Sequence, residues 1–252
     1  MARISALRIR VFGTCRLRYK YQYLDRGQGR ARPRLRPSDT AGSLVHRVLC
    51  DFYMKTSQIE RTEERLIRIF DESWAALSRR FLRMEGVEAL REASIRQLQN
   101  YIARFDYSRE PYMVEPYFQV DVAPGITLFG RLDRLDEEPD GTLQVIDYKA
   151  GSMPGDIDPG QLVFYAIMVE EKLNRPVSRA SFWYLDDGSV WTMKFSDHDR
   201  RKGRGRLLAI VHQMLVAPDF PPTIAEHCGS CPFLYACEFG AEIESLRRAE
   251  GW

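Results

Sequence analysis

Two aspartates and a lysine stand where buried β-strands usually carry apolar side chains. Residues 130–136 read Gly-Arg-Leu-Asp-Arg-Leu-Asp, and residues 145–149 read Val-Ile-Asp-Tyr-Lys. A carboxylate behind the β-branched pair Val145-Ile146 is costly to bury unless it is paired or binds a cation. Lys149 lies two residues beyond Asp147, so on a strand both point to one face. Asp133, on the neighbouring strand of the hairpin, can reach the same place. Two carboxylates and an ammonium group on one sheet face suit phosphodiester hydrolysis. Asp133 and Asp147 would ligate Mg²⁺ or Mn²⁺, and Lys149 would orient a water and offset charge on the phosphorane. A lone Asp-x-Lys also describes a structural ion pair on a hairpin, so the surrounding residues must decide.

His46 sits on an upstream apolar helix face, among Val45, Val48 and Leu49. A histidine there is either a satisfied core residue or a nitrogen ligand to the same ion, which would favour Mn²⁺ over Mg²⁺. Gln161 and Tyr165 stand at i and i+4 of a later helix, share one face, and can hydrogen-bond phosphate oxygens or bases.

The five cysteines supply a second constellation. Cys228, Cys231 and Cys237 have the spacing C-x2-C-x5-C, and Cys15 is the candidate fourth ligand. Cys50, within an apolar helix, reads as a buried small hydrophobe. Four thiolates hold either a tetrahedral Zn²⁺ or a [4Fe–4S] cluster, and the spacing leaves both open. An odd cysteine count argues against a disulfide framework.

The elements that must position these residues follow from periodicity. A helix is expected from about Thr40 to Met54, after an Arg/Gly/Pro-rich loop from Gly27 to Pro37. A helical hairpin over 57–107 carries the apolar stripe Leu66, Ile67, Phe70, Trp74, Leu77 and Phe81. Strands are expected at Val114–Val122, Ile126–Leu135 and Leu143–Tyr148, the last two joined by the turn Glu-Glu-Pro-Asp-Gly. A helix from Asp158 to Leu173 follows. Then come strands Ser181–Leu185 and Val190–Phe195 around Asp-Asp-Gly-Ser, a helix over 197–216, and a proline- and cysteine-rich tail. Strands flanked by helices predict an α/β fold.

Bulk properties narrow the function classes. The 252 residues are 44% hydrophobic and 29% charged, ordinary for a globular protein. No apolar run reaches the roughly 18–20 residues of a membrane span, and the N-terminus lacks a continuous apolar secretory core, so a cytoplasmic protein is expected. The net charge of +2 conceals an asymmetry: residues 1–36 carry eleven Lys or Arg against Asp25 alone, leaving 26 basic and 34 acidic residues elsewhere. A segment this basic attracts polyanions, although a solvated basic arm would read the same way. No Walker motif occurs, so the chain is not a helicase by itself.

Four segments together resemble the RecB-like branch of the PD-(D/E)XK nucleases. Gly130–Asp136 is similar to that branch's G-x-[IL]-D-R-[IL]-D segment, and Val145–Gly151 to its D-Y-K-[TS]-G core. Gln161–Tyr165 is similar to its Q-x-x-x-Y motif, and Gly42–Leu49 to its small-residue-then-His helix. The resemblance implies a restriction-endonuclease-like central mixed sheet flanked by helices, forming one nuclease domain over 1–252 with 57–107 as a helical insertion. It implies metal ligation by His46, Asp133, Asp147 and the Tyr148 carbonyl, Lys149 as the catalytic lysine, and Gln161 and Tyr165 as residues that position a DNA strand. Glu115 resembles a further acid of the branch; a surface strand glutamate is the competing view. The branch's iron–sulfur members, among them CRISPR-associated exonucleases and the AddB-type nuclease domain, place one cysteine before the His helix and C-x2-C-x5-C at the end. That favours [4Fe–4S] over Zn²⁺ at Cys15, Cys228, Cys231 and Cys237, with 1–25 and 224–240 forming the cluster region. Arg16 departs from the proline many relatives carry there, without removing a ligand.

The function expected is a Mg²⁺/Mn²⁺-dependent deoxyribonuclease acting on single-stranded or free DNA ends, as an exonuclease in CRISPR adaptation beside integrase proteins, or in repair beside a helicase. The alternatives are a non-catalytic iron–sulfur DNA-binding subunit of a larger complex, and a zinc-stabilised protein with no nucleic-acid role.

Overall fold

The computed structural model describes residues 1–25 and 36–251. Most of the expected basic loop, residues 26–35, lies outside the described residues. The chain divides into two units, residues 1–3 with 36–206 and residues 4–35 with 207–252.

The chain begins with β1 (Ala2–Ile4), whose first two residues belong to the first unit. Within the second, α1 (Ala6–Thr14) is capped by the Ser5 hydroxyl, α2 (Arg16–Tyr19) follows, and a π-turn covers Lys20–Leu24. The first unit resumes at α3 (Pro37–Met54). Pro37, expected in the loop, is instead the first helical residue, where its missing N–H costs nothing; the Asp39 carboxylate accepts the Arg36 N–H at 3.0 Å. The helical hairpin comprises α4 (Glu63–Ala75), a short α5 (Arg79–Leu82) and α6 (Val87–Arg104).

Five strands then form the larger sheet and two join β1 in the smaller one. β2 (Met113–Val114) and β3 (Tyr117–Ala123) replace the single expected strand 114–122. Glu115, with φ near +50°, and Pro116 break it, because neither fits a continuous ladder. β4 (Ile126–Arg131) and β5 (Arg134–Glu137) likewise replace the expected strand 126–135. The chain leaves one sheet at Leu132-Asp133 and enters the other. The smaller sheet has the order β1-β4-β3.

β6 (Leu143–Lys149) pairs antiparallel with β5 across the expected turn. It continues through α7 (Gly160–Leu173) to the parallel strand β7 (Val177–Tyr184), and β8 (Val190–Lys194) closes the order β2-β5-β6-β7-β8. β6 is central in the sheet and buried except at Lys149. One face of β6 meets α3, α4 and α6 in a core containing Val45, Phe52, Phe70, Leu98 and Ile146. Side chains of this size contribute about 1.5–3 kcal/mol each on burial.

α8 (Asp197–Val216) runs from the first unit into the second, which also holds 3₁₀ turns at Glu226–Ser230 and Leu234–Ala236 and α9 (Gly240–Glu250). No helix among the described residues is long and apolar enough to cross a membrane.

Candidate functional site

The break between β4 and β5 places Asp133 beside α3. Asp133 was expected on a strand; it occupies the irregular step between two strands instead, where its carboxylate is free of the sheet's alternation. Oδ1 lies 2.9 Å from His46 Nδ1, and Oδ2 accepts the Tyr148 N–H at 2.7 Å. The second break brings in Glu115, whose N–H donates to the Asp133 carbonyl at 2.9 Å. His46, Glu115 and Asp133 each offer a ligand atom within 4.8 Å of the others. The left-handed backbone of Glu115 is unfavourable for a residue with a Cβ, and strain of this kind gathers at functional sites.

Asp147 lies beside this trio on β6 and is buried. Lys149 Nζ stands 2.5 Å from Asp147 Oδ2 and 4.6 Å over the Phe182 ring. Gln161, at the start of α7, bridges the pair: its amide donates to Asp147 Oδ1 at 2.8 Å and its carbonyl oxygen accepts from Lys149 at 2.8 Å. The same amide donates to the Tyr165 hydroxyl at 3.3 Å. Gln161 thus faces Asp147 and Lys149, a contact that helical spacing alone could not reveal. The Tyr148 side chain points the other way, its hydroxyl 3.4 Å from that of Tyr101.

The site is acidic and mostly buried. Burial, then the Asp133 charge, pushes the Asp147 carboxyl up to about 6, against the pull of Lys149. Glu115 is raised by burial and by Asp133. Burial disfavours the His46 cation, but the bond to Asp133 and the nearby carboxylates outweigh it and raise the imidazole. Asp147 Oδ2 has no well-aligned hydrogen bond, although the Lys149 ammonium is close. Three carboxylates, an imidazole and an incompletely satisfied buried oxygen make a donor set suited to a hard divalent cation.

Arg134, next to Asp133, is a residue that the reading of the sequence left without a role. It is fully buried, donates to both oxygens of Asp136 at 2.6 and 3.0 Å, and reaches the hydroxyls of Tyr53 and Tyr101 at 2.6 and 3.2 Å. An Arg-x-Asp pair on one face of a strand was the available signal.

In the second unit, Cys15, Cys228, Cys231 and Cys237 line one pocket with Leu17, Phe233 and Ile243. The Arg18 N–H donates to Cys15 Sγ at 3.5 Å. Backbone N–H groups of Phe233 and Phe239 favour the thiolates of Cys231 and Cys237, but burial, reinforced by the neighbouring sulfurs, outweighs them and raises both thiols. Cys50 lies half-buried on α3 in the first unit.

No curated protein matches the chain. A solved structure from Eubacterium rectale, described as "Putative exonuclease", superposes with a TM-score of 0.53 at 13% identity, covering 90% of this chain and 86% of that one; the likeness is one of fold. A second, SSO0001, covers 79% of this chain and 95% of its own at 11% identity and a TM-score of 0.38, too loose to argue from. The family model of the PD-(D/E)XK nuclease superfamily matches residues 3–238, nearly the whole chain that carries these acids, and the protein belongs to that superfamily.

Proposed function

We propose that this nuclease is a Mg²⁺/Mn²⁺-dependent exonuclease of single-stranded or free DNA ends, with His46, Glu115, Asp133 and Asp147 holding the ion. The observation that carries the reading is the cluster of His46, Glu115 and Asp133 ligand atoms within 4.8 Å, with the buried Asp147–Lys149 pair beside it. The Tyr148 carbonyl is assigned as a further ligand on the resemblance alone. When bound, a divalent ion supplies charge that stabilises the phosphorane and acidifies water.

The chain's own residues do the rest. Lys149 holds the attacking water by hydrogen bonding and offsets charge as the phosphorane forms. Gln161 keeps Lys149 and Asp147 at fixed separation, and Tyr165 supports Gln161 and contacts the strand. Glu115, pinned through its N–H to Asp133, keeps the second carboxylate in place.

We also assign a [4Fe–4S] cluster to Cys15, Cys228, Cys231 and Cys237. Backbone N–H groups aimed at sulfur support thiolate ligands. The choice of iron–sulfur over zinc at these four thiolates rests on the resemblance. A role in CRISPR adaptation or repair, with integrase or helicase partners in the cytoplasm, rests on the resemblance.

The test is cleavage of end-labelled single-stranded DNA with Mn²⁺ by wild type and Lys149→Ala. Loss of cleavage in the variant, by about 100-fold or more, supports the assignment. Equal cleavage by both rejects it. DNA binding without cleavage by the wild type would favour the non-catalytic alternative.

A further inference from the structure

The smaller sheet turns one face toward the core and the other outward. Phe118, Val120 and Val122 of β3 are buried, whereas Tyr117 is 50% exposed and the Arg131 side chain 60%. Register places Tyr117 opposite Arg131 and Gln119 opposite Phe129 on the outward face. Arg3 of β1 reaches across to them. Its guanidinium donates to the Tyr117 hydroxyl at 3.2 Å and to Gln119 Oε1 at 3.1 Å, and lies 4.8 Å from the Phe129 ring centroid.

This mixture of aromatic faces, guanidinium groups and an amide is continuous with the acids. Tyr117 lies two residues beyond Glu115, and Arg131 two before Asp133. Arg131, its side chain 60% exposed, stands 3.6 Å from the Glu115 carboxylate and donates to the Glu115 carbonyl at 3.4 Å, contacts long enough for the guanidinium to turn toward a phosphate. From Tyr117 to Gln119 the strand advances about 7 Å, two stacked nucleotide steps of about 3.4 Å. Asp121, held to Thr127, ends the favourable stretch with a negative charge.

We infer that the outward face of the smaller sheet is a track for single-stranded DNA, with Tyr117 stacking an unpaired base and Arg131 and Arg3 holding the flanking phosphates, leading the strand to Glu115 and Asp133. This rests on the proposed nuclease reading and names how its substrate is engaged. A duplex does not fit the role, because paired bases keep their faces inside the helix. Stacking on an aromatic platform beside arginine is tolerant of sequence, as a general exonuclease requires.

The competing explanation is that Arg3 and Tyr117 merely pin β1 to the sheet. Fluorescence anisotropy of a labelled twelve-residue oligothymidine with the full chain in EDTA separates the two. Tyr117→Ala is expected to weaken binding about fivefold or more, and Tyr117→Phe, which keeps the ring but loses the hydroxyl, to stay within about twofold of wild type. Wild-type affinity in Tyr117→Ala, an equal loss in Tyr117→Phe, or no binding by wild type would each overturn the proposal. Hydrolysis of bis(p-nitrophenyl) phosphate by wild type with Mn²⁺ offers no base to stack. Its failure would count against the nuclease reading, while the anisotropy series would still judge the track.

Discussion

The backbone N–H of Tyr148 donates to Oδ2 of Asp133 at 2.7 Å. This single bond ties the irregular step after β4 to the C-terminal end of β6, and leaves Oδ1 turned toward His46. Asp133→Asn keeps an oxygen able to accept from Tyr148 but loses the charge. The variant is expected to fold, with Tm within a few degrees of wild type, and to bind Mn²⁺ at least about tenfold more weakly by calorimetry. Unchanged affinity would remove Asp133 from the ligand set.

Gln161 connects the other half of the site. Gln161→Ala frees Lys149 and Asp147 from their common partner, and a misplacement of about 1 Å costs roughly 100-fold. The expected result is a 10- to 100-fold fall in kcat with a small change in KM for a short oligonucleotide. A pure rise in KM would mean that Gln161 contacts only the DNA.

The raised Asp147 carboxyl sets the pH behaviour of the metal-free protein. In the folded state it holds its proton to about pH 6, whereas its ordinary value is 3.8. Between these values the folded state binds more protons than the unfolded one, so the contribution to stability falls as pH rises from about 4 to 6 and stays low above. Mn²⁺ binding runs the other way and tightens as pH rises through 6, because the ion displaces the proton. Thermal melts of wild type and Asp147→Asn across pH 4–8 without metal check this. The wild-type-minus-variant difference should slope downward and then level.

Arg134 is a buried ion whose removal leaves the buried Asp136 carboxylate with only the longer 3.6 Å contact to Arg109. Arg134→Leu is expected to destabilise by about 3–5 kcal/mol in urea unfolding, and Arg134→Leu with Asp136→Leu to recover part of that loss. An additive double variant would show that the pair does not couple.

The cysteine pocket gives a spectroscopic prediction. Anaerobically purified protein is expected to be brown, with broad absorption near about 400 nm, and Cys15→Ser to lose the colour. Loss of a cross-link of comparable span costs about 2–5 kcal/mol, or roughly 5–15 °C in Tm for a chain of this size. A colourless wild type containing one Zn²⁺ would replace the cluster with a zinc site.

Much of this was legible in the residues because strong local signals agreed. The alternation and turn chemistry of 138–148 located β6, and the D-x-K spacing put Lys149 beside Asp147. The breaks at Glu115-Pro116 and Leu132-Asp133 were not legible: the flanking residues all have strand character, and only tertiary pairing decides that one run serves two sheets. The bridging role of Gln161 and the burial of Arg134 depend on partners distant in sequence, Asp147 in one case and Tyr53 and Tyr101 in the other.

The step at Leu132-Asp133 makes one carboxylate answerable to two β-sheets. A substitution that shifts β3 or β4 by a few tenths of an ångström moves Asp133 against His46, and one that shifts β6 moves it through Tyr148. Changes at widely separated positions therefore converge on the same carboxylate, and their effects on where it sits are expected to be epistatic even where the side chains never touch.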